Sequence, residues 1–153
     1  MLLVTGNNFA MAASCSVNTI PVAFFAYDTL SPTPNISGMG TIQVTCEHTA
    51  PQGAEVVSYT VSLSRGLSGT YLPRQMVKGS ERLEYNLYQD ASRVVIWGDG
   101  TSGSLPVTSV LPTLSDSNPI AQDTLNVYGR IPERQNVRAG MYSDTITVTV
   151  EWQ

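Results

Sequence analysis

Residues 145–152 read Thr-Ile-Thr-Val-Thr-Val-Glu-Trp, and this stretch decides the fold class. Apolar side chains alternate with polar ones over its whole length. The apolar ones, which share one face of an extended chain, are Ile146, Val148, Val150 and Trp152. Because successive side chains of a strand point to opposite faces of its sheet, this pattern predicts a strand with one buried face.

Similar short apolar or alternating segments recur along the chain. The predicted strands are 41–46, 57–63, 83–88, 94–97, 125–128 and 145–152. Clusters of Gly, Pro, Asn, Asp and Ser lie between them, as is typical of turns. Short strands separated by turns predict an antiparallel β-sandwich, and 153 residues are enough for one domain with a buried core.

The composition excludes several classes of protein. Only 13% of the residues are charged and the formal net charge is −4, so nothing predicts the basic surface that a nucleic-acid partner requires. The sequence has no run of 18 apolar residues, so it predicts no helix that spans a membrane. Ser, Thr, Asn and Gln carry most of the polar character, which is usual in extracellular all-β proteins.

The two cysteines, Cys15 and Cys46, allow two interpretations. The absence of a C-x-x-C spacing and the presence of a single histidine argue against zinc. A disulfide is favoured over two free thiols, and it would require an oxidising compartment. Closing a loop of this length stabilises a fold by about 3–4 kcal/mol in the loop-entropy model.

No set of residues in the sequence predicts catalysis. Residues 98–103 match the G-x-G-x-x-G pattern, but a dinucleotide loop must open a helix, and Pro106 with its β-branched neighbours opposes one. We therefore interpret this loop as a strand connection. His48 is expected to be a lone surface histidine. The chain is predicted not to be an enzyme, and to use no cofactor, metal or small-molecule substrate.

The N-terminal residues 1–13 are interpreted as a signal-peptide remnant or an N-terminal extension, and 14–153 as the folded domain. Ala10-Met11-Ala12 is the kind of triplet after which signal peptidase cleaves, although the segment lacks a basic start. The alternative is an extra N-terminal strand. If the segment is retained, residues 1–14 are a candidate donor strand for a neighbouring subunit.

Several motifs together resemble the spore coat protein U-like domain, which also builds Csu-type fimbriae, the archaic chaperone–usher pili. They are Cys-Ser-Val at 15–17, the segment 24–28, Val-Thr-Cys at 44–46, LEYNLYQD at 83–90, VIWGDG at 95–100, VYGRIP at 127–132 and QNVRAGMYSD at 135–144. The resemblance runs from about Cys15 to Trp152. Phe25 stands where a glycine is expected, which predicts altered packing beside the first strand.

The resemblance implies an all-β, incomplete immunoglobulin-like antiparallel β-sandwich that lacks its final strand. A groove then lies between the first and last strands, and a strand from another protein fills it. Cys15 and Cys46 would pin the first strand to the second. The expected groove walls are Ile20, Val22 and Phe24 on one side and Ile146, Val148, Val150 and Trp152 on the other.

The function that the resemblance implies is that of a structural fimbrial subunit. Its expected partners are a periplasmic pilus chaperone, an outer-membrane usher and neighbouring subunits that exchange strands. Such a protein passes through the periplasm to the cell surface and supports adhesion and biofilm formation. The alternative is a secreted spore-coat or extracellular matrix protein of the same fold that does not polymerise.

Overall fold

The computed structural model describes residues 4–7, 13–49 and 53–153 of the chain. Within these residues the chain forms nine strands and no helix, and thus no helix long and apolar enough to cross a membrane. The strands are β1 (Val4–Asn7), β2 (Ala13–Ala23), β3 (Met39–His48), β4 (Ser58–Leu63), β5 (Arg74–Lys78), β6 (Glu81–Tyr88), β7 (Val107–Val110), β8 (Ile120–Arg130) and β9 (Val148–Trp152).

The strands form two sheets that enclose one core. The four-stranded sheet has the order β1-β9-β4-β7 and the five-stranded sheet has the order β2-β3-β8-β6-β5. Every neighbouring pair is antiparallel except β1 and β9, which run parallel. The molecule is an immunoglobulin-like β-sandwich, so the predicted all-β fold class is confirmed.

The core forms because alternate side chains of each strand face the opposite sheet. The buried apolar side chains include Ile42, Val44, Tyr59, Val61, Leu63, Val148 and Val150. The serine, threonine and glutamine residues that alternate with them in β3 and β4 face outward, as period-two alternation predicts. Two apolar faces packed against each other are the usual way in which antiparallel sheets bury their core.

Most of the predicted strands are confirmed. The segments 41–46, 83–88 and 125–128 lie inside β3, β6 and β8, and 57–63 matches β4 except for its first residue. The decisive C-terminal stretch forms β9, which begins at Val148 rather than Thr145.

The strand predicted at 94–97 is wrong. Ile96 and Trp97 make only single bridges, to Tyr88 and Leu105. Trp97 is fully buried, and its indole Nε1 donates a hydrogen bond to the carbonyl oxygen of Val61 at 2.9 Å. The segment is therefore apolar because a loop enters the core, a role that periodicity does not distinguish from a short buried strand.

The disulfide is confirmed. Cys15 of β2 and Cys46 of β3 lie directly opposite each other in the strand register, and their sulfur atoms are bonded. The bond fixes the first long strand of the domain to its neighbour, as the resemblance implied.

The N-terminal segment contains the extra strand that was considered as an alternative. The backbone of β1 lies along β9, and β2 begins at Ala13. The expected cleavage site around Ala10-Met11-Ala12 lies outside the described residues. Whether residues 1–13 are removed, and where the domain begins, stays a prediction.

Candidate functional site

A cavity of about 880 Å³ opens between the end of β2 and the segment that leads into β9. β2 is an edge strand of the five-stranded sheet and β9 belongs to the four-stranded sheet, so the cavity lies between the two sheets. Its lining is mainly apolar. The side chains of its floor come from five strands and include Ile42, Leu63, Met76, Leu83, Tyr85, Leu87 and Val127.

The structure brings most of the predicted groove residues together around this cavity. Those that line it are Ile20, Val22, Phe24, Ile146 and Val148. Ile20 is 64% exposed, so it contributes mainly to the rim. Val150 is fully buried in the core and does not line the cavity. Trp152 lies in a separate cleft, beside Tyr59 and Thr60. The role of these residues in accepting a strand stays a prediction.

Phe24 directly follows β2 and lines the cavity, and two glycines make room for its ring. A Cβ atom at Gly38 or at Gly129 would overlap the Phe24 ring. The ring also meets Tyr85 edge to face, with 6.3 Å between ring centroids and an interplanar angle of 82°. This arrangement is favourable for aromatic pairs, so it packs the Phe24 ring against the five-stranded sheet.

A backbone irregularity turns this end of β2 toward the cavity. The pairing of β2 with β3 shifts between Ile20 and Ala23. Pro21 lies in this interval and has no backbone N–H to donate, which is why proline is found at such bulges. Gly40 lies opposite, where a Cβ would collide with the carbonyl oxygen of Ile20.

Asp144 fixes the position of the segment that leads into β9 and forms the cavity wall opposite β2. Its carboxylate accepts hydrogen bonds from the Tyr85 hydroxyl at 2.6 Å and from the backbone N–H groups of Leu67 and Thr145 at 2.8 and 2.7 Å. Burial, and then the hydrogen bond to Asp144, raise the pKa of Tyr85 above its usual value. The segment that leads into β9 is thereby tied to the cavity floor four residues before the strand begins.

A buried arginine lies behind the floor and joins the two sheets. Arg74 of β5 is fully buried and donates to the carbonyl oxygens of Ser64 and Trp97, with distances of 2.7 to 3.0 Å. It also donates to Asn86 Oδ1 at 2.8 Å and lies over the ring of Tyr71, 4.8 Å from its centroid. Burial lowers the pKa of Arg74. Sequence reasoning missed this network, because a charged residue in a strand gives no local sign of being buried.

The mouth of the cavity carries two exposed apolar side chains, Phe25 and Met141, which are 82% and 92% exposed. The prediction that Phe25 alters the packing beside the first strand is wrong, because its side chain points to solvent. Behind this rim, the Tyr27 hydroxyl donates to the Pro132 carbonyl oxygen at 2.7 Å and accepts from the Gln135 N–H at 2.9 Å. The loop after β2 is thus fixed to the loop after β8.

His48 lies away from the cavity and is not the surface residue that was expected. Its side chain is 5% exposed, with Nδ1 3.3 Å from Glu55 Oε2 and Nε2 3.4 Å from Asp116 Oδ1. Among the described residues, no group of three or more His, Cys, Asp and Glu side chains is arranged to hold a metal ion.

The glycine-rich loop is a strand connection, as predicted. Gly98 donates its backbone N–H to the Leu105 carbonyl oxygen, and Ser104 donates to that of Thr101, both at 3.0 Å. The Asp99 carboxylate accepts a hydrogen bond from the Thr101 N–H at 2.9 Å. The loop therefore closes on itself and continues into β7, with no helix following it.

Comparison with a solved structure supports the fold. The chain is similar to a chain in the crystal structure of the CsuC–CsuE chaperone–tip adhesion subunit pre-assembly complex from archaic chaperone-usher Csu pili of Acinetobacter baumannii. The match has a TM-score of 0.57 and 23% identity, and covers 91% of this chain and 40% of that chain.

Comparison of sequences supports the family. The chain is 29% identical to "Protein U" of Myxococcus xanthus over 124 residues, which cover 76% of this chain and 60% of that protein. The chain thus spans less than two thirds of the length of either relative. Residues 2–149 match the family described as the Spore Coat Protein U domain, and the chain therefore belongs to that family.

Proposed function

We propose that the chain is a structural subunit of a bacterial surface fimbria of the chaperone–usher type, and that it accepts a β-strand in the groove between β2 and β9. The observation that carries this proposal is the open, mainly apolar cavity between β2, an edge strand of one sheet, and the segment that leads into β9 of the other sheet. Membership of the family, and the fold shared with a pilus subunit bound to its chaperone, support it.

An extended strand suits this cavity better than a compact ligand does. The outer edge of β2 presents backbone groups that a further strand can pair with, and β9 offers its groove-side edge to such a strand once β1 leaves it. The apolar walls between them require alternate apolar side chains. If four or five large side chains are buried, the gain is about 6–15 kcal/mol, at about 1.5–3 kcal/mol each. This matches the whole stability of an ordinary domain, about 5–15 kcal/mol.

The partners follow from this mode of binding. A periplasmic pilus chaperone supplies the first strand, an outer-membrane usher receives the complex, and a neighbouring subunit then replaces the chaperone strand with its own. The protein passes through the periplasm to the cell surface, where the fimbria supports adhesion and biofilm formation. The proposal gives the chain no catalytic role.

A second candidate is a secreted spore-coat or matrix protein that does not polymerise. The pairing of β1 with β9 favours it, because the chain itself covers part of the edge that a donor strand would use. Such a protein would be stable alone and would take up no added strand.

Peptide binding separates these candidates. The probe is a fluorescent synthetic peptide of alternating valine and threonine with a lysine at each end, and fluorescence anisotropy measures its binding to the full chain. We expect binding to wild-type protein. Ile146→Asp should weaken it at least about tenfold, since a carboxylate would face an apolar strand. Thr149→Asp is the matched control, because Thr149 lies on β9 and outside the cavity lining.

The fimbrial proposal fails if correctly folded wild-type protein does not bind the peptide. It also fails if both substitutions weaken binding equally, because the peptide would then not lie in the groove.

A further inference from the structure

We infer that β1 is a built-in competitor for the groove: residues 4–7 of the chain occupy the edge of β9 that an incoming strand needs, and must leave before that strand can pair fully. This inference rests on the proposed function, because it concerns the regulation of the same groove. The N-terminal segment thereby blocks the groove-side edge of β9 in its own chain.

The strand register places β1 on the edge in question. Val4, Thr5, Gly6 and Asn7 pair in parallel with Val148, Thr149, Val150 and Glu151. The other edge of β9 is occupied by β4. Because each edge of a strand can pair with one neighbour, β1 and a strand from another molecule exclude each other along these four residues of β9.

The coverage by β1 is incomplete, which leaves a place where an incoming strand can begin. The pairing starts at Val148 and runs toward the end of β9. The cavity remains open on the other side of this point, where Ile146, Phe24 and Val22 line it. An incoming strand can therefore enter at Ile146 and displace β1 from Val148 onward.

The path of the chain favours this intramolecular pairing. β1 ends opposite Glu151, close to the end of the sandwich at which the backbones of Ser58 and Gln153 are hydrogen-bonded to each other. β2 begins opposite His48, whose Nδ1 lies 3.3 Å from Glu55 Oε2, and Glu55 precedes Ser58 by three residues at this end of the sandwich. Residues 8–12 connect the two strands and reach about 20 Å at full extension. Such a short tether holds β1 at an effective concentration of about millimolar, which disfavours a free strand at lower concentration.

Proline scanning of β1 tests the inference in the full chain. Adjacent residues of a strand direct their backbone N–H groups to opposite edges, and proline has none. Thr5→Pro and Gly6→Pro therefore form a matched pair, in which one substitution removes a hydrogen bond to β9 and the other does not. Hydrogen exchange of the amides among Val148–Glu151 that point toward β1 reports the β1–β9 pairing, and the alternate amides, which point toward β4, are the internal control. The association of the valine–threonine peptide reports access to the groove.

We expect the variant whose proline removes a hydrogen bond to β9 to lose protection of the β9 amides and to bind the peptide about tenfold more tightly. The other variant should behave as wild type. Tenfold is the change expected if β1 occupies the edge in about nine molecules of ten.

Three results would overturn the inference. The first is unchanged amide protection in both variants; the fimbrial proposal then stands if the wild type still binds the peptide. The second is loss of protection without any peptide binding in any of the proteins, which contradicts both proposals. The third is an intact mass of the secreted protein showing that residues 4–7 have been removed.

Discussion

Tyr85 shows at the scale of single residues how the groove is held in shape. Its ring forms part of the cavity floor and meets Phe24, while its hydroxyl donates to Asp144 in the segment that leads into the last strand. In the strand predicted at 83–88, Tyr85 alternates with Leu83 and Leu87 and therefore shares their face. The sequence did not predict the contact with Asp144, because that contact joins residues 59 apart in the chain.

Tyr85→Phe should lower the free energy of unfolding by about 1–3 kcal/mol at pH 7, the usual value of a hydrogen bond to a charged group. It should also change the alkaline pH dependence. The pKa of Tyr85 is raised above 10.0 in the folded protein, so its contribution to stability is complete below pH 10 and is lost as the pH rises further.

Denaturant titrations between pH 7 and 11 measure both effects. The wild type should lose stability above pH 10 more steeply than Tyr85→Phe does. Parallel pH profiles for the two proteins would show that the hydroxyl is not held in its neutral form.

At the scale of elements, the sequence predicted the long strands with a regular alternation and missed β5 and β7. β3, β4 and β9 alternate strictly because one face packs on the core and the other meets water. β5 was missed because Arg74 occupies a core-facing position, and β7 because four residues are too few to show a period. The placement of Arg74 depends on acceptors from three separate parts of the chain, so local pattern does not reveal it.

Arg74→Met should destabilise the protein by about 3 kcal/mol or more, because the carbonyl oxygens of Ser64 and Trp97 lose the guanidinium donor at the junction of the sheets. Asn86 Oδ1 loses one of its two donors and keeps the Leu87 N–H. Arg74→Lys should restore little of this loss, since an ammonium group does not reproduce the planar fork of the guanidinium. Urea unfolding measures the changes.

Arg82→Met is the control for Arg74→Met. Arg82 lies on the neighbouring β6 with its side chain exposed, so its replacement should change stability by less than about 0.5 kcal/mol. Equal effects of the two substitutions would show that the Arg74 network does not hold the sheets together.

At the scale of the whole molecule, the sandwich has a seam that its own strands leave partly open. The resemblance predicted a groove between the first and last strands, and the structure has a cavity there. The pairing of β1 with β9 was considered only as an extra N-terminal strand, because the alternation of apolar residues in the first fourteen residues is weak and is interrupted at Gly6. Its parallel direction depends on where β9 lies, which local sequence does not contain.

The thermal midpoint of the full chain, alone and with the valine–threonine peptide, tests most directly whether the sandwich is completed by an added strand. At a peptide concentration of one hundred times the Kd, about 2.7 kcal/mol of stabilisation is expected. For a domain of this size the midpoint should rise by about 5–10 °C. A peptide of the same composition with all valines preceding the threonines should have little effect. A high midpoint that neither peptide changes would contradict the account, since the fold would then be complete without a partner.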